Sequence, residues 1–328
     1  MSSSVKHRPV NILITILSIL IITMSMTGVR AQNFSKLEKV NFSVKFKDDL
    51  NPYRVLGIFL MPGEKIEFEC VFTDPQSTFM ITPSKGVLEP VSKERWRWKA
   101  PHTKGMYTVT ITEMPSQNVM VFHAFVMVPF QSKNSKLNDY RIGQYQQKPL
   151  KNNPVYAPPQ GFIEVTKQNR HELVSPHFTL GQFVSKQPSK YPKYVALRER
   201  LLLKLEMILE AVQETGRKVK TLHVMSGFRT PFYNKAIGNP TLYSRHLYGD
   251  AADIFIDQDQ NNIMDDLDHD GKTTLVDAQR LANIIIDKSK EAWYRPFIGG
   301  LGVYGPRSHR GPFVHVDVRG TPARWSNP

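Results

Sequence analysis

Two short stretches of this 328-residue chain combine residue types that can hold a metal ion. The first, Ser244-Arg245-His246-Leu247-Tyr248-Gly249-Asp250-Ala251-Ala252-Asp253, offers an imidazole and a carboxylate with a glycine and small residues between them. Gly249 lets the chain turn from loop into strand, and Ala251 and Ala252 leave space around an ion. The second, Phe313-Val314-His315-Val316-Asp317, reads as a strand, so alternation sets His315 and Asp317 on one face, aimed at the same site. Zinc in hydrolases takes three ligands from His, Asp and Glu and keeps one position for water. Spacing alone leaves a second reading open for each histidine, that of a packed or surface residue.

A different metal chemistry is suggested between these stretches. Starting at Asp266, carboxylates fall at loop positions 1, 3 and 5 (Asp266, Asp268, Asp270), Gly271 at 6 and Asp277 at 12. This is the EF-hand spacing with Asp in place of the last Glu, resembling dockerin-type calcium loops. Six aspartates between Asp257 and Asp270 repel one another without a counter-cation, so a structural calcium ion is expected on Asp266, Asp268, Asp270 and Asp277. A solvated acidic loop is the alternative. Asp257, Asp259 and Asn261 could begin an adjoining, less regular site.

The elements that must position these groups follow from periodicity. Residues 38–130 show short alternating runs: Val55 to Leu60, Lys65 to Val71, Arg95 to Lys99, Met106 to Thr112 and Val119 to Val128. Pro62-Gly63 is a turn, and the pattern predicts a small all-β, immunoglobulin-like sandwich with Trp96 and Trp98 on one sheet face. Residues 131–160, with Pro149, Pro154, Pro158 and Pro159 and no sustained period, read as a linker. From 161 to 328 the pattern is α+β. Helices are expected over Tyr194–Val212 and Val276–Ala292, and strands over Thr221–Met225, Ala251–Ile256, Gly300–Tyr304 and Phe313–Val318.

Three ordered blocks carry a family resemblance. Ser226-Gly227-Phe228-Arg229-Thr230-Pro231-Phe232-Tyr233-Asn234, the Ser-x-His-x-x-Gly-x-Ala-x-Asp run, and Phe313 to Gly320 closely resemble the M15 peptidases, as does the closing Ala323-Arg324-Trp325. The resemblance spans roughly Phe178 to Trp325. It implies an α+β zinc-peptidase domain, an antiparallel sheet with helices, in which His246, Asp253 and His315 hold zinc and Arg229 contacts a substrate carboxylate or developing oxyanion. It also implies D-alanyl-D-alanine carboxypeptidase, D,D-dipeptidase or murein endopeptidase activity. One position departs from the pattern: many members carry Glu or Asp three residues before the last histidine, and here that residue is Pro312. Asp317 is the substitute candidate for general base, or else it orients a ligand from behind. His309 is the other candidate.

Composition narrows the setting. The net charge of +14 favours anionic partners, and no nucleic-acid-binding signature accompanies it. The single cysteine, Cys70, rules out an intrachain disulfide and a multi-thiolate zinc site, and reads as a buried thiol. Lys6, His7 and Arg8 precede the apolar run Ile12 to Met24, and Val29-Arg30-Ala31 offers a cleavage site before Gln32. Residues 1–31 are therefore expected to be a signal peptide, or a membrane anchor if uncleaved, which places the protein in the periplasm, at the cell envelope or outside the cell. The leading expectation is an exported zinc peptidase acting on peptidoglycan stem peptides. The alternative is a zinc-containing wall-binding module without turnover, and a weaker one is an adhesin led by the β-domain.

Overall fold

The computed structural model describes Met1 and residues 38–328 apart from Thr73 and Ser132, so the expected signal segment falls, save Met1, outside the described residues. Residues Leu37–Pro328 form one compact unit. No helix among the described residues is long and apolar enough to cross a membrane.

The N-terminal half is built from β1 (Lys39–Phe46), β2 (Asp49–Tyr53), β3 (Val55–Leu60), β4 (Lys65–Val71), β5 (Thr78–Pro83), β6 (Val87–Pro90), β7 (Arg95–Lys99), β8 (Gly105–Met114) and β9 (Asn118–Val126). One sheet runs β2-β1-β4-β7-β6 and the other β3-β9-β8-β5, with β3 and β9 parallel. Alternation does the work the sequence suggested: Ile66, Phe68 and Cys70 on β4, and Trp96 and Trp98 on β7, are all buried. The sheets meet through Phe122, whose ring lies 5.5 Å from Phe46 and 4.9 Å from Phe68. Burial pushes the Cys70 thiol up to about 12, with Glu94 adding to it, so it behaves as an apolar core group.

Short ladders join the halves: β10 (Val128–Pro129), β11 (Lys136–Leu137), β12 (Tyr140–Arg141), β13 (Gly161–Val165), β14 (Leu173–Ser175), β15 (Phe178–Thr179) and β16 (Lys193–Val195). Tyr194 and Val195, expected in a helix, instead pair with Glu164 and Ile163. The β13 edge supplies their backbone partners, and this pairing overrides the local helical spacing. Helix α1 therefore begins later, at Glu199, and runs to Glu214 with Leu201, Leu202, Leu205, Ile208, Leu209 and Val212 buried.

The C-terminal sheet contains β17 (His223–Ser226), β18 (Ala251–Phe255), β19 (Gly300–Tyr304), β20 (Phe313–Asp317) and β21 (Ala323–Asn327), in the order β17-β18-β20-β19-β21. Helices α2 (Pro231–Ala236) and α3 (Leu275–Lys288) accompany it, and the whole is α+β in class. Strand β21 lacks an apolar alternation and was not anticipated; it is recruited by parallel backbone pairing with β19.

Helix α1 is fastened to the N-terminal strands by charge. Glu199 accepts from the Phe59 amide at 3.0 Å and from Lys47 at 2.6 Å, and Arg200 meets Asp49 at 2.7 Å. His177 sits between Glu206 and Glu38, 2.6 Å from each. Burial lowers its pKa, but the two carboxylates outweigh that and hold it above the ordinary 6.5. The clamp is therefore complete at acidic pH and is lost as pH rises through that raised value. Replacing His177 by Gln should cost about 1–3 kcal/mol at about pH 6 and distinctly less at about pH 9, read from urea unfolding at both pH values.

Candidate metal centre and its cleft

Antiparallel pairing of β18 with β20 sets Asp253 directly opposite His315. The third group, His246, lies in the 3-10 turn Arg245–Tyr248. That turn ends at Gly249, whose φ of +72° is left-handed and whose Cα faces the Ala196 carbonyl so closely that a Cβ would stand 2.3 Å from its oxygen. Only glycine fits both demands. The three side chains are almost fully buried, and one donor atom of each lies within 4.8 Å of the others.

Hydrogen bonds choose which nitrogen of each ring faces inward. His246 Nδ1 lies 2.6 Å from the Gly227 carbonyl, so it donates there and leaves Nε2 toward Asp253 Oδ1 at 3.1 Å. His315 is turned the other way: Nδ1 faces Asp253 Oδ1 at 2.9 Å, and Nε2 faces Asp317 Oδ2 at 3.2 Å. Burial lowers the His246 pKa and favours the neutral, ligating form. Burial opposes charge on His315 too, but its hydrogen bonds to Asp253 and Asp317 outweigh it and raise the pKa. Burial would raise Asp253, yet His246 and Arg229 hold it well below the usual carboxylate range.

Asp317 shares the sheet face of His315 but lies beyond its ring, on the nitrogen opposite the donor trio. Its carboxylate is fully buried and accepts from the Gly300 amide at 2.8 Å and from Arg319 Nε at 2.9 Å. Of its two sequence readings, general base or orienting group, this geometry is that of the orienting group. Arg229 does reach the centre: Nε donates to Ser226 Oγ at 2.8 Å, and the guanidinium pairs with Asp253 Oδ2, the oxygen turned from the histidines. His309 is exposed in the turn between Arg307 and Arg310 and is not among the described lining residues of the cleft.

The trio opens on a cavity of ≈ 250 Å³. One wall is aromatic: Tyr304 stacks on Phe313 at 4.5 Å, its hydroxyl accepts from Trp325 Nε1 at 2.7 Å, and Trp325 lies 5.2 Å from His315. Cations Arg229 and Arg319 face it, and Asp253 is the one carboxylate among the described lining residues. The wall escaped the sequence reading because Trp325 is delivered by the unforeseen strand β21.

The stretch read as a linker supports the metal loop. Tyr145 donates to the Leu247 carbonyl at 2.8 Å, Tyr243 to the Lys148 carbonyl at 2.9 Å, and Arg245 to the Val155 carbonyl at 3.1 Å. The Arg245 guanidinium is stacked between Tyr156 and Tyr248, 4.3 and 4.8 Å from their ring centres, and is paired with buried Asp250.

The acidic loop forms two carboxylate groups, Asp257/Asp259/Asp265 and Asp266/Asp268/Asp270. Asp277 is not brought into either: it caps α3, accepting from the Leu267 amide at 2.6 Å and the Thr274 amide at 2.7 Å. A carboxylate at the third helical position is favoured there by the exposed amides.

A His-Asp-His cluster, two of its members on the sheet, thus lies beneath the cleft, and one comparison places this part of the chain in a family. Residues 176–283, which include Arg229, His246 and Asp253, match the family described as Peptidase M15; the C-terminal domain is of the M15 peptidase type. No curated protein matches the chain. Among solved structures, a nucleoside hydrolase-related hypothetical protein from Saccharophagus degradans is 12% identical with a TM-score of 0.21, over 27% of this chain and 26% of that one. A putative alpha-galactosidase/melibiase from Bacteroides fragilis is 17% identical with a TM-score of 0.18, over 27% of this chain and 18% of its own. The chain thus spans about a quarter or less of these structures, and such slight likenesses bear on neither fold nor function.

Arg245→Met leaves Asp250 buried without its partner. It should cost about 3–5 kcal/mol in urea unfolding, and adding Asp250→Asn should restore part of the loss. An unchanged midpoint in the single variant would show that the pair does not support the loop.

Proposed function

We propose that the protein is a zinc peptidase cleaving D-amino-acid-containing peptide bonds of peptidoglycan. The observation that carries this reading is the His246–Asp253–His315 trio at the base of an open cleft, within a domain of the M15 type. Two inward-facing imidazole nitrogens and one carboxylate oxygen suit zinc in number and kind, with room left on the cleft side. A bound zinc ion supplies Lewis acidity toward a scissile carbonyl and lowers the pKa of water at its open position to ~7. The chain's own residues do the rest. Gly227 and Asp317 fix the two rings, Arg229 holds Asp253 and offers positive charge to a substrate carboxylate or oxyanion, and the aromatic wall orients the peptide. The basic charge of the chain suits an anionic wall polymer better than a small neutral peptide. We read the paired N-terminal sheets as an immunoglobulin-like spacing module, and residues 1–31 as the export signal.

A second reading, a zinc-holding wall-binding module, is favoured by one observation: Asp253 is the only carboxylate on the described cleft lining, so no separate base stands there. Digestion of isolated peptidoglycan by the chain from Gln32 onward, with zinc, separates the two by mass analysis of the products. The peptidase releases D-Ala or consumes cross-linked muropeptides, and His246→Ala abolishes this. Stoichiometric zinc without any product supports the binding module, and failure to bind zinc rejects both.

We also infer a structural calcium ion on Asp266, Asp268 and Asp270, supported by their convergence and by the loop spacing. Calcium at about a hundredfold over its Kd should then stabilise the protein by about 2.7 kcal/mol. Asp268→Asn should abolish the response, and an unchanged wild-type melting curve after chelation would remove calcium from the account.

A further inference from the structure

Lys204 stands in the middle of α1 and is almost wholly buried, an unusual place for an ammonium group. Among the described residues no carboxylate forms an ion pair with it. Nζ donates instead to two main-chain carbonyls, Asp317 at 2.7 Å and Phe297 at 3.0 Å, and lies 5.4 Å from the centre of the Tyr294 ring. The ammonium thus ties the end of β20 to the turn that leads into β19.

The cross-link sits at the one point where the backbone of Asp317 is already confined. A Cβ on Gly299 would lie 1.9 Å from the Asp317 carbonyl oxygen, and one on Gly300 would lie 2.3 Å from Asp317 Oδ2. Lys204 presses on this carbonyl from the helix side, while the Gly300 amide and Arg319 take up the carboxylate. With main chain and side chain both held, Oδ2, which also accepts from the Arg319 guanidinium, faces His315 Nε2. That contact turns His315 Nδ1 toward Asp253.

We propose that Lys204 is a positioning residue of the metal centre, acting from inside α1 through Asp317 to set the orientation of His315. The inference rests on the zinc reading of the trio. It also explains why the helix keeps a buried cation where leucine or methionine would pack without a desolvation cost. Outer partners of metal ligands typically contribute ~10–100-fold in affinity, and Lys204 lies one step further out.

The test is zinc affinity of the full chain by chelator competition, with the visible spectrum of the cobalt-substituted protein as a second readout. Wild type is measured first, and its failure to bind rejects the metal reading itself. If wild type binds, Lys204→Met should weaken zinc about tenfold and alter the cobalt spectrum while the far-ultraviolet circular dichroism is kept. Lys204→Gln, which retains a donor, should recover part of the loss and serves also if the methionine variant does not fold. Combined with Asp317→Asn, the losses should be clearly less than additive. Unchanged zinc affinity in folded Lys204→Met or Lys204→Gln, or full additivity with Asp317→Asn, overturns the proposal.

Discussion

Between β18 and β20, Asp253 lies opposite His315, and the rest of the metal centre is arranged around that cross-strand pair. Side chains alternate along a strand, so a slip of one residue would turn Val314 or Val316 to the centre and His315 to the other face. The register is guarded by apolar burial: Ile254, Val314 and Val316 are wholly buried on the face opposite the trio. The third group, His246, comes from a loop and has no ladder to fix it. Its ring is held by the Gly227 carbonyl, and its main-chain carbonyl accepts from the Arg229 amide at 3.1 Å. The loop that carries Arg229 and the turn that carries His246 therefore constrain each other.

Around this pair the protein buries far more charge than a core needs. Arg245 with Asp250, the Asp317 carboxylate under a partly exposed Arg319, and Lys204 on bare carbonyls are all charges taken into the interior. Each carries a desolvation cost that apolar side chains would avoid. Burial, with Arg319 adding to it and Asp317 opposing, brings the Lys204 ammonium down to about 8. What these groups supply is direction. A guanidinium fork or a three-donor ammonium fixes the rotation of what it touches, which dispersion contacts between methyl groups do not. A cluster whose donor atoms must converge within a few ångströms depends on that kind of constraint.

Helix α1 links the two halves of the compact unit. Glu199, Arg200, Glu206 and Glu210 reach toward the N-terminal strands, and Lys204 reaches the carbonyl of Asp317. Residues 131–160 bind the loop of His246 from another side through Tyr145, Val155 and Tyr156. The N-terminal sheets and the metal loop are thus connected by specific polar contacts as well as by the chain itself.

Much of this was legible in the residues. Local periodicity located β18, β19 and β20 to within a residue, because alternation of Val, Ile and Ala is a property of adjacent positions. The ordered motif blocks singled out Arg229, His246, Asp253 and His315, which the fold brings together. Other features depend on contacts between residues far apart in sequence. Tyr194 and Val195 carry a helical spacing but meet the β13 edge; Trp325 reaches the cleft through a ladder its own residues do not announce; Asp277 fits a calcium template yet finds backbone amides nearer. Even Asp317, whose face was foreseeable, meets His315 on the nitrogen turned away from Asp253, a contact that no local period announces. Which residue types stand on which face of each element could be read from the chain, since that follows from the local period of the backbone. Which of them meet is a matter of the fold, because long-range pairing, ring orientation and the burial of charge depend on neighbours the chain brings from elsewhere.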